Sequence, residues 1–308
     1  MAGKKIGELT PLGRNLISTD ELELSLVGST GSRKITGAEI INAIPLLPSF
    51  LEYNNTNKTF WNNGNNDNPQ STSFGEFALQ SNFAGSFGNT AFGCFSLQGN
   101  ISGGQNSALG NNSLSSNTSG SSNTAIGSGS LFNNQTNSQS TAVGADALYN
   151  SRSNVNTAIG YFAGRAITTG PSNTAIGANA LLSATTASQN SALGQNAGGS
   201  FTTGGLNVAI GAQSATVVTT GSNNVFIGTL SNAASGLNTT SQCVVIGTSA
   251  IGRTGCVVLG TSATATNVNQ FVVGSSIVNA GAVTTETLVT TKTWSVIING
   301  VAQKILLA

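Results

Sequence analysis

Side chains that could carry acid–base, nucleophilic or metal chemistry are scarce in this sequence. The chain of 308 residues has no histidine, and charged residues make up 7% of it, against about a quarter of a typical globular chain. Across residues 77–275 the charged residues are Asp146, Arg152, Arg165 and Arg253. General acid–base catalysis needs a histidine or paired carboxyl groups. We therefore expect no enzyme, no metal site and no cofactor.

The sequence also lacks the signals of several other protein classes. No apolar run approaches the roughly 18 residues that a membrane-spanning helix needs. Residues 1–8 lack the apolar segment of a signal peptide. The formal net charge is +1, which gives no field that would attract nucleic acid or an anionic membrane. We expect no nucleic-acid partner and no membrane insertion.

A short motif that ends in glycine repeats along two thirds of the chain. Its clearest copies, at 123–127, 156–160 and 173–177, all read Asn-Thr-Ala-Ile-Gly. Successive repeat glycines are separated by 18, 17, 17, 17, 16, 17, 17, 17, 17, 19, 13 and 14 residues. The repeat glycines are Gly75, Gly93, Gly110, Gly127, Gly144, Gly160, Gly177, Gly194, Gly211, Gly228, Gly247, Gly260 and Gly274.

Each copy predicts one coil of a stacked parallel β-structure. It holds a short extended run, a glycine, a segment of small residues and a polar turn, and no run is long enough for a helix of ten residues. Glycine and asparagine at fixed offsets supply the positive φ angles of tight turns. We therefore predict an all-β solenoid of about 13 coils, which would rise roughly 60 Å at the spacing of paired strands.

Alternation within the extended run suggests which side chains are buried. We count positions from the repeat glycine, which is position 0; positions −3 and −1 then share one strand face and position −2 points the other way. We assign position −1 to the shaft core: Ile126, Val143, Ile159, Ile176, Leu193, Ile210, Ile227, Ile246 and Leu259. We expect the alanines at position −2 to form a trimer interface, because an outward face of pure alanine does not suit water: Ala91, Ala108, Ala125, Ala142, Ala158, Ala175, Ala192 and Ala209. A monomeric β-helix that exposes these alanines is the alternative.

The segment 122–127, Ser-Asn-Thr-Ala-Ile-Gly, resembles the Asn-Ser-Val-Ala-Ile-Gly motif in the head domains of trimeric autotransporter adhesins. The resemblance covers roughly residues 70–277. It implies a left-handed parallel β-roll, with three chains around one axis. The period of this chain is longer than that of the family, so each coil should carry an extra loop.

The N-terminal segment carries a second resemblance. Residues 5–9 read Lys-Ile-Gly-Glu-Leu, residues 20–36 predict a hairpin with a glycine-rich turn, and residues 37–44 predict a short helix that ends before Pro45. This arrangement resembles the virion-attachment segment of bacteriophage fibre proteins, notably those of crAss-like phages. The resemblance implies that residues 1–50 bind a capsid or tail adaptor protein. The candidate attachment residues are Lys5, Ile6, Leu9, Leu22, Leu24, Leu26, Arg33 and Lys34.

The remaining segments complete the predicted organisation. Residues 51–70 are rich in asparagine and predict a linker, and residues 71–277 form the shaft. Residues 278–308 contain two apolar runs around an Asn-Gly turn, which predicts a β-hairpin. Three such hairpins, one per chain, would cap the open end of the rod and drive trimerisation. Cys243 and Cys256 share position −4 in successive coils, and we expect them to be free thiols, since adjacent parallel strands seldom allow disulfide geometry.

These patterns indicate a homotrimeric structural fibre on the surface of a bacteriophage virion, which contacts a host surface or a glycan. The lack of a large variable tip favours a head fibre over a tail fibre. A bacterial surface adhesin of the trimeric β-roll type, without its own membrane anchor, is the alternative.

Overall fold

The computed structural model describes residues 71–82 and 86–274, together with six short strands outside these ranges. In this part of the chain every regular element is a β-strand, and none of it forms a helix that could cross a membrane. Two antiparallel hairpins precede the solenoid: Glu21–Ser25 (β1) pairs with Ser32–Thr36 (β2), and Glu52–Asn54 (β3) pairs with Thr59–Trp61 (β4).

Fifteen further strands follow in chain order: Thr72–Phe74 (β5), Thr90–Phe92 (β6), Ser107–Leu109 (β7), Thr124–Ile126 (β8), Thr141–Val143 (β9), Thr157–Ile159 (β10), Thr174–Ile176 (β11), Ser191–Leu193 (β12), Val208–Ile210 (β13), Val225–Ile227 (β14), Asn232–Ala233 (β15), Val244–Ile246 (β16), Ile251–Gly252 (β17), Val257–Leu259 (β18) and Phe271–Val273 (β19). All except β15 and β17 form one parallel sheet of thirteen strands, ordered as in the chain. The structure is thus a β-solenoid of about 12 turns. The two remaining strands pair with each other in parallel.

The strands of the long sheet pair in register with the sequence repeat. Ala158, for example, lies beside Ala142 on one side and Ala175 on the other. Every strand that was predicted from the motif is present, and each occupies positions −3 to −1. Equivalent residues of successive coils therefore form columns along the solenoid, at the spacing of about 4.8 Å that parallel pairing sets.

Hydrogen bonds between coils continue through the turns that follow each strand. The backbone N–H of Leu97 donates to the carbonyl of Ser113, and Leu114 donates to Ser130 in the same way. The turns use left-handed backbone at position +4, where φ is 48° at Leu97 and 50° at Leu114. Leucine accepts this strained conformation because its side chain fills the interior, with 0% of its surface exposed.

Glycine at position 0 has a separate and stricter requirement. From Gly75 to Gly260 its φ lies between 125° and 142°, a range that side chains other than glycine rarely adopt. A Cβ atom on Gly177 would also lie 2.6 Å from the carbonyl carbon of Gly194 in the next coil. Both the dihedral angle and this close approach explain why the position is glycine in every coil.

The interior of the solenoid is narrow, and in several coils a small residue at position +4 accompanies a larger residue at position +7. Position +4 is leucine in six coils, and position +7 of those coils is asparagine, serine or alanine, as with Leu181 and Ala184. Where position +4 is Gly198, position +7 is Phe201 instead, and a Cβ on that glycine would lie 2.8 Å from the phenylalanine ring. The glycine thus leaves space for the larger neighbour, as expected for a close-packed core.

Buried asparagines at position −4 connect the coils through their side chains. The Asn190 backbone N–H and side-chain amide both donate to Oδ1 of Asn173, at 3.1 and 3.2 Å, and the Asn190 amide also donates to the Gly204 carbonyl at 2.9 Å. Each amide therefore joins the coil before it to the coil after it. The column consists of Asn89, Asn106, Asn123, Ser140, Asn156, Asn173, Asn190, Asn207 and Asn224.

A further pair of strands follows the solenoid, in which Thr293–Ile298 (β20) pairs antiparallel with Val301–Leu306 (β21). Strands thus pair antiparallel within both of the segments for which hairpins were predicted. A further short hairpin, β3–β4, lies within the segment that was predicted to be a linker. The predicted helix at 37–44 lies outside the described residues.

Candidate interface along the outer face of the sheet

The face of the long sheet that points away from the interior carries large apolar side chains. Position −1 is phenylalanine, leucine, isoleucine or valine in all thirteen coils. Ile159 is 40% exposed, Leu193 is 49% exposed and Val273 is 63% exposed. Because the strands are in register, these side chains form one continuous column from β5 to β19.

Position −3 lies beside this column on the same face and changes character along the solenoid. It is threonine or serine from β5 to β12, and valine or phenylalanine from β13 to β19. Phe271, in the last strand, is 71% exposed. In the described range the two columns carry no charged side chain. The face therefore presents methyl and hydroxyl groups along its length and becomes fully apolar towards β19.

The extent of this face is large for a surface that contacts only water. With about two fifths of a large side chain exposed in each coil, the −1 column leaves on the order of 1,000 Å² of apolar surface per chain, whereas the largest apolar patch of a typical monomer is about 300–600 Å². A stable interface buries about 800 Å² per partner. The face is thus large enough and uncharged enough to pack against another protein surface.

The structure contradicts the assignment of faces that was made from the sequence. The predicted trimer-interface residues Ala91, Ala108, Ala125, Ala142, Ala158, Ala175, Ala192 and Ala209 are 0–1% exposed within a single chain. They line the solenoid's own core and cannot reach another copy. Position −2 stays buried in the later coils, as Phe226, Val245 and Val258.

The predicted shaft-core residues point outward instead: Ile126, Val143, Ile159, Ile176, Leu193, Ile210, Ile227, Ile246 and Leu259 are exposed or half-buried. The physical reason is the narrow interior. Position −2 faces the buried leucine and asparagine columns of the same coil, which leaves room for a methyl group in most coils. The larger β-branched and leucine side chains must then occupy the opposite face.

The buried asparagine ladder and the paired positions +4 and +7 were missed by the sequence analysis. Asparagine was attributed to the turns, although it begins the repeated Asn-Thr-Ala-Ile-Gly motif. Its recurrence two residues before the alanine column was the available signal, because residues two apart share a strand face. A buried alanine column therefore implies a buried asparagine column beside it.

The three cysteines are free thiols. Cys243 continues the asparagine column, and its backbone N–H donates to Oδ1 of Asn224 at 3.0 Å. Burial, with a smaller contribution from the neighbouring Cys256, raises the pKa of the Cys243 thiol to about 12. The Cys256 thiol donates to the Asn267 carbonyl at 3.2 Å. At neutral pH Cys243 is therefore a protonated, buried side chain that is poorly suited to nucleophilic chemistry.

The candidate attachment residues lie apart from this surface. Lys5, Ile6, Leu9 and Leu26 are outside the described residues. Leu22 and Leu24 lie in β1, and Arg33 and Lys34 lie in β2, where Leu24 pairs with Arg33 and Glu23 with Lys34. In the part of the chain that the structure describes, no three cysteine or acidic side chains lie close enough together to hold a metal ion.

The comparisons with known proteins give no further assignment. No protein-family model, no curated protein and no solved structure matches this chain. The interpretation of the outer face therefore depends on its own geometry and chemistry.

Proposed function

We propose that this protein is a structural fibre, assembled from three copies of the chain, that projects from the surface of a bacteriophage particle. The observation that carries the proposal is the uncharged, largely apolar outer face that runs without interruption from β5 to β19. Each copy would bury this face against the other two. The rod would then have a shared apolar axis and a polar outer surface.

The construction of the solenoid suits a mechanical role. Its coils are joined by the parallel sheet, by backbone hydrogen bonds in the turns and by the buried asparagine column. A rod with this many repeated contacts per coil resists local opening, since a protease needs an exposed and mobile segment. A non-catalytic role also agrees with the scarcity of ionisable side chains along the shaft.

The number of copies rests on the resemblance of the Asn-Thr-Ala-Ile-Gly motif to the heads of trimeric autotransporter adhesins, which are left-handed rolls of three chains. A cyclic trimer also places all three N-terminal segments at the same end of the rod. In this proposal residues 1–50 bind the capsid or tail adaptor, and residues 278–308 close the far end. We favour a position on the head of the particle, with contact to a host surface or glycan.

A bacterial surface adhesin that docks on a separate anchor protein is the second candidate, because the same motif and the same outer face would serve it. The two candidates differ in location. The phage proposal is favoured by the resemblance of residues 1–50 to virion-attachment segments of phage fibres.

Gold-labelled antibody against the protein, applied to purified particles and to host cells in the electron microscope, tests the proposal. We expect gold on fibres that project from particles. A parallel sample would use particles whose fibre gene lacks the codons for residues 1–50, with deletion of residues 62–70 as the matched control. Gold found on cell surfaces and not on particles would contradict the phage assignment and support the adhesin.

A further inference from the structure

Charged side chains and tyrosines are concentrated in two neighbouring coils of the solenoid. The coils that start at Gly144 and Gly160 contain Asp146, Arg152 and Arg165, which are three of the five charged residues in the described range 71–274. The same two coils contain Tyr149 and Tyr161, which are the tyrosines of that range. Elsewhere in the described residues the exposed aromatic side chains are phenylalanines, at Phe74, Phe77, Phe87, Phe92 and Phe271.

Arg165 lies at the centre of this group and contacts Tyr149, Phe162 and Asp146. Its Cζ atom lies 5.4 Å from the centroid of the Tyr149 ring and 4.8 Å from that of the Phe162 ring. Its Nε donates to Oδ2 of Asp146 at 3.4 Å. Cation–π contacts and the ion pair together fix the guanidinium group, yet 41% of the Arg165 side chain stays exposed.

Stacked rings extend the group on both sides. The Phe132 ring stacks on Tyr149 with centroids 5.0 Å apart and an angle of 4° between the ring planes. Tyr161 stacks on Phe162 at 3.8 Å and is 54% exposed, which makes it the most accessible ring of the group. We call Phe132, Asp146, Tyr149, Tyr161, Phe162 and Arg165 the aromatic–arginine patch.

The coil architecture does not require these residue types. Phe132, Tyr149 and Arg165 all occupy position +5, where the preceding coil has Ser115 and the following coil has Leu182. The solenoid continues in register through these coils with the same hydrogen bonds. The patch is therefore a local specialisation of the surface.

We propose that the aromatic–arginine patch is a binding site for a neutral glycan. A sugar ring offers C–H groups that pack on exposed aromatic surface, and hydroxyl groups that can donate to Asp146 and accept from Arg165. The patch spans three coils, or about 10 Å between its outer members at the spacing of parallel strands, which is the length of about two sugar rings. This is much smaller than the area that a protein partner needs.

The charge of the patch favours a neutral ligand over an acidic one. Arg165 is already paired with Asp146, and Arg152 brings the net charge of the two coils to +1. The chain as a whole has a formal charge of +1. Neither value provides the concentration of positive charge with which proteins bind nucleic acid or sulfated polysaccharides.

The proposal rests on the proposed fibre, because a trimeric rod would present three such patches at fixed distances. One sugar site of this size binds weakly, and several sites on one rigid rod raise the apparent affinity for a surface coated with the same glycan. The fibre would thereby bind a cell surface reversibly through its side.

An array of printed neutral, sialylated and sulfated oligosaccharides, probed with the full-length protein, tests this inference. We expect binding to at least one neutral oligosaccharide. Tyr161→Ala and Asp146→Asn should each reduce that binding at least tenfold, whereas Tyr161→Phe, which keeps the ring, should remain within about threefold of the natural protein. Phe95→Ala is the matched control, since Phe95 stacks on Phe77 at 5.2 Å in a distant coil, and its binding should be unchanged.

Absence of binding to every neutral glycan would overturn the proposal, as would binding that Tyr161→Ala and Asp146→Asn leave intact. Preferential binding to sulfated glycans would also overturn it. If the patch had only a structural role, Tyr161→Ala would lower the melting temperature but would bind glycans as the natural protein does, and this result would also overturn the proposal. The mass of the natural protein and of each variant is measured in parallel. Loss of glycan binding by a variant that is still trimeric supports this inference, whereas a trimeric natural protein that binds no neutral glycan overturns it and leaves the proposed fibre untouched.

Discussion

Because the side chains at positions +4 and +7 share one space, two substitutions that each destabilise the protein should together destabilise it less than either one alone. Phe201 is fully buried, and Gly198 beside it leaves room for the ring. Phe201→Ala empties that space, and substitutions of this kind cost about 3–5 kcal/mol. Gly198→Leu adds a side chain where Phe201 already lies, and overpacking costs about 1–3 kcal/mol.

The double variant Gly198→Leu/Phe201→Ala recreates the pair that the preceding coil already has, Leu181 with Ala184. The backbone can accept leucine there, since φ is 57° at Gly198 and 50° at Leu181. The leucine replaces most of the lost phenylalanine volume. We therefore expect the double variant to lose less than about 1.5 kcal/mol, the usual limit for volume-conserving exchanges.

Thermal unfolding of the four proteins at one fixed concentration measures this cycle. A loss of 3–5 kcal/mol corresponds to a fall of roughly 6–20 °C in melting temperature for a structure of this size, so the Phe201→Ala variant should melt well below the natural protein and the double variant close to it. The fixed concentration matters because the melting temperature of an oligomer depends on it. Additive losses in the double variant would refute the idea that positions +4 and +7 fill one shared space.

Three further outcomes are expected. Gly177→Ala should lower the melting temperature strongly, because φ is +129° and the new Cβ meets the Gly194 backbone. Gly236→Ala should have a smaller effect in the same assay, because φ is +79° and no atom lies within 4 Å of its Cβ. Equal effects would show that the contact between coils is unimportant. Ala158→Asp should abolish folding, as judged by circular dichroism, because it buries an unpaired charge; a folded Ala158→Asp protein would show that position −2 is not in the core. The pKa of Cys243 is raised from 9.0 to about 12, so its contribution to stability is complete below pH 9 and falls between pH 9 and 12. The difference in unfolding free energy between the natural protein and its Cys243→Ala variant should therefore change only in that window. A constant difference would contradict the burial of this thiol.

Much of the solenoid follows directly from the sequence. The repeat glycines set the register of the coils, because their φ angle and their close approach to the next coil admit no other residue. Once that register is known, the three residues before each glycine must form the strand. The coil spacing and the parallel order of the sheet then follow.

The same reasoning does not show which face of each strand points to the interior of the solenoid. Alternation shows that Ala158 and Ile159 point to opposite sides, but it does not say which side is the interior. The expectation that alanine at position −2 faces another chain fails because the centre of the coil is already filled by leucine and asparagine, which leaves room there only for a small side chain. Deciding between the two faces requires the whole coil, including turn residues such as Leu181 at a strained φ of 50°.

The candidate interface is therefore the exposed column at position −1 and not the alanine column at position −2, and self-association is still expected. Alanines buried within one chain cannot bind a second copy, whereas the exposed isoleucine column can. The same reassignment turns threonine at position −3 outward, so that the surface proposed to be shared between copies is mixed near β5 and fully apolar near β19.

The mass of the natural protein in solution tests the central claim most directly. Sedimentation velocity at micromolar concentration should give three times the chain mass of 30.8 kDa, as a single elongated species. Ile159→Asp, which places a charge on the outer face of the sheet, should shift this species towards folded monomer. A natural protein that sediments as a monomer of 30.8 kDa, with its outer face open to water, would contradict the account.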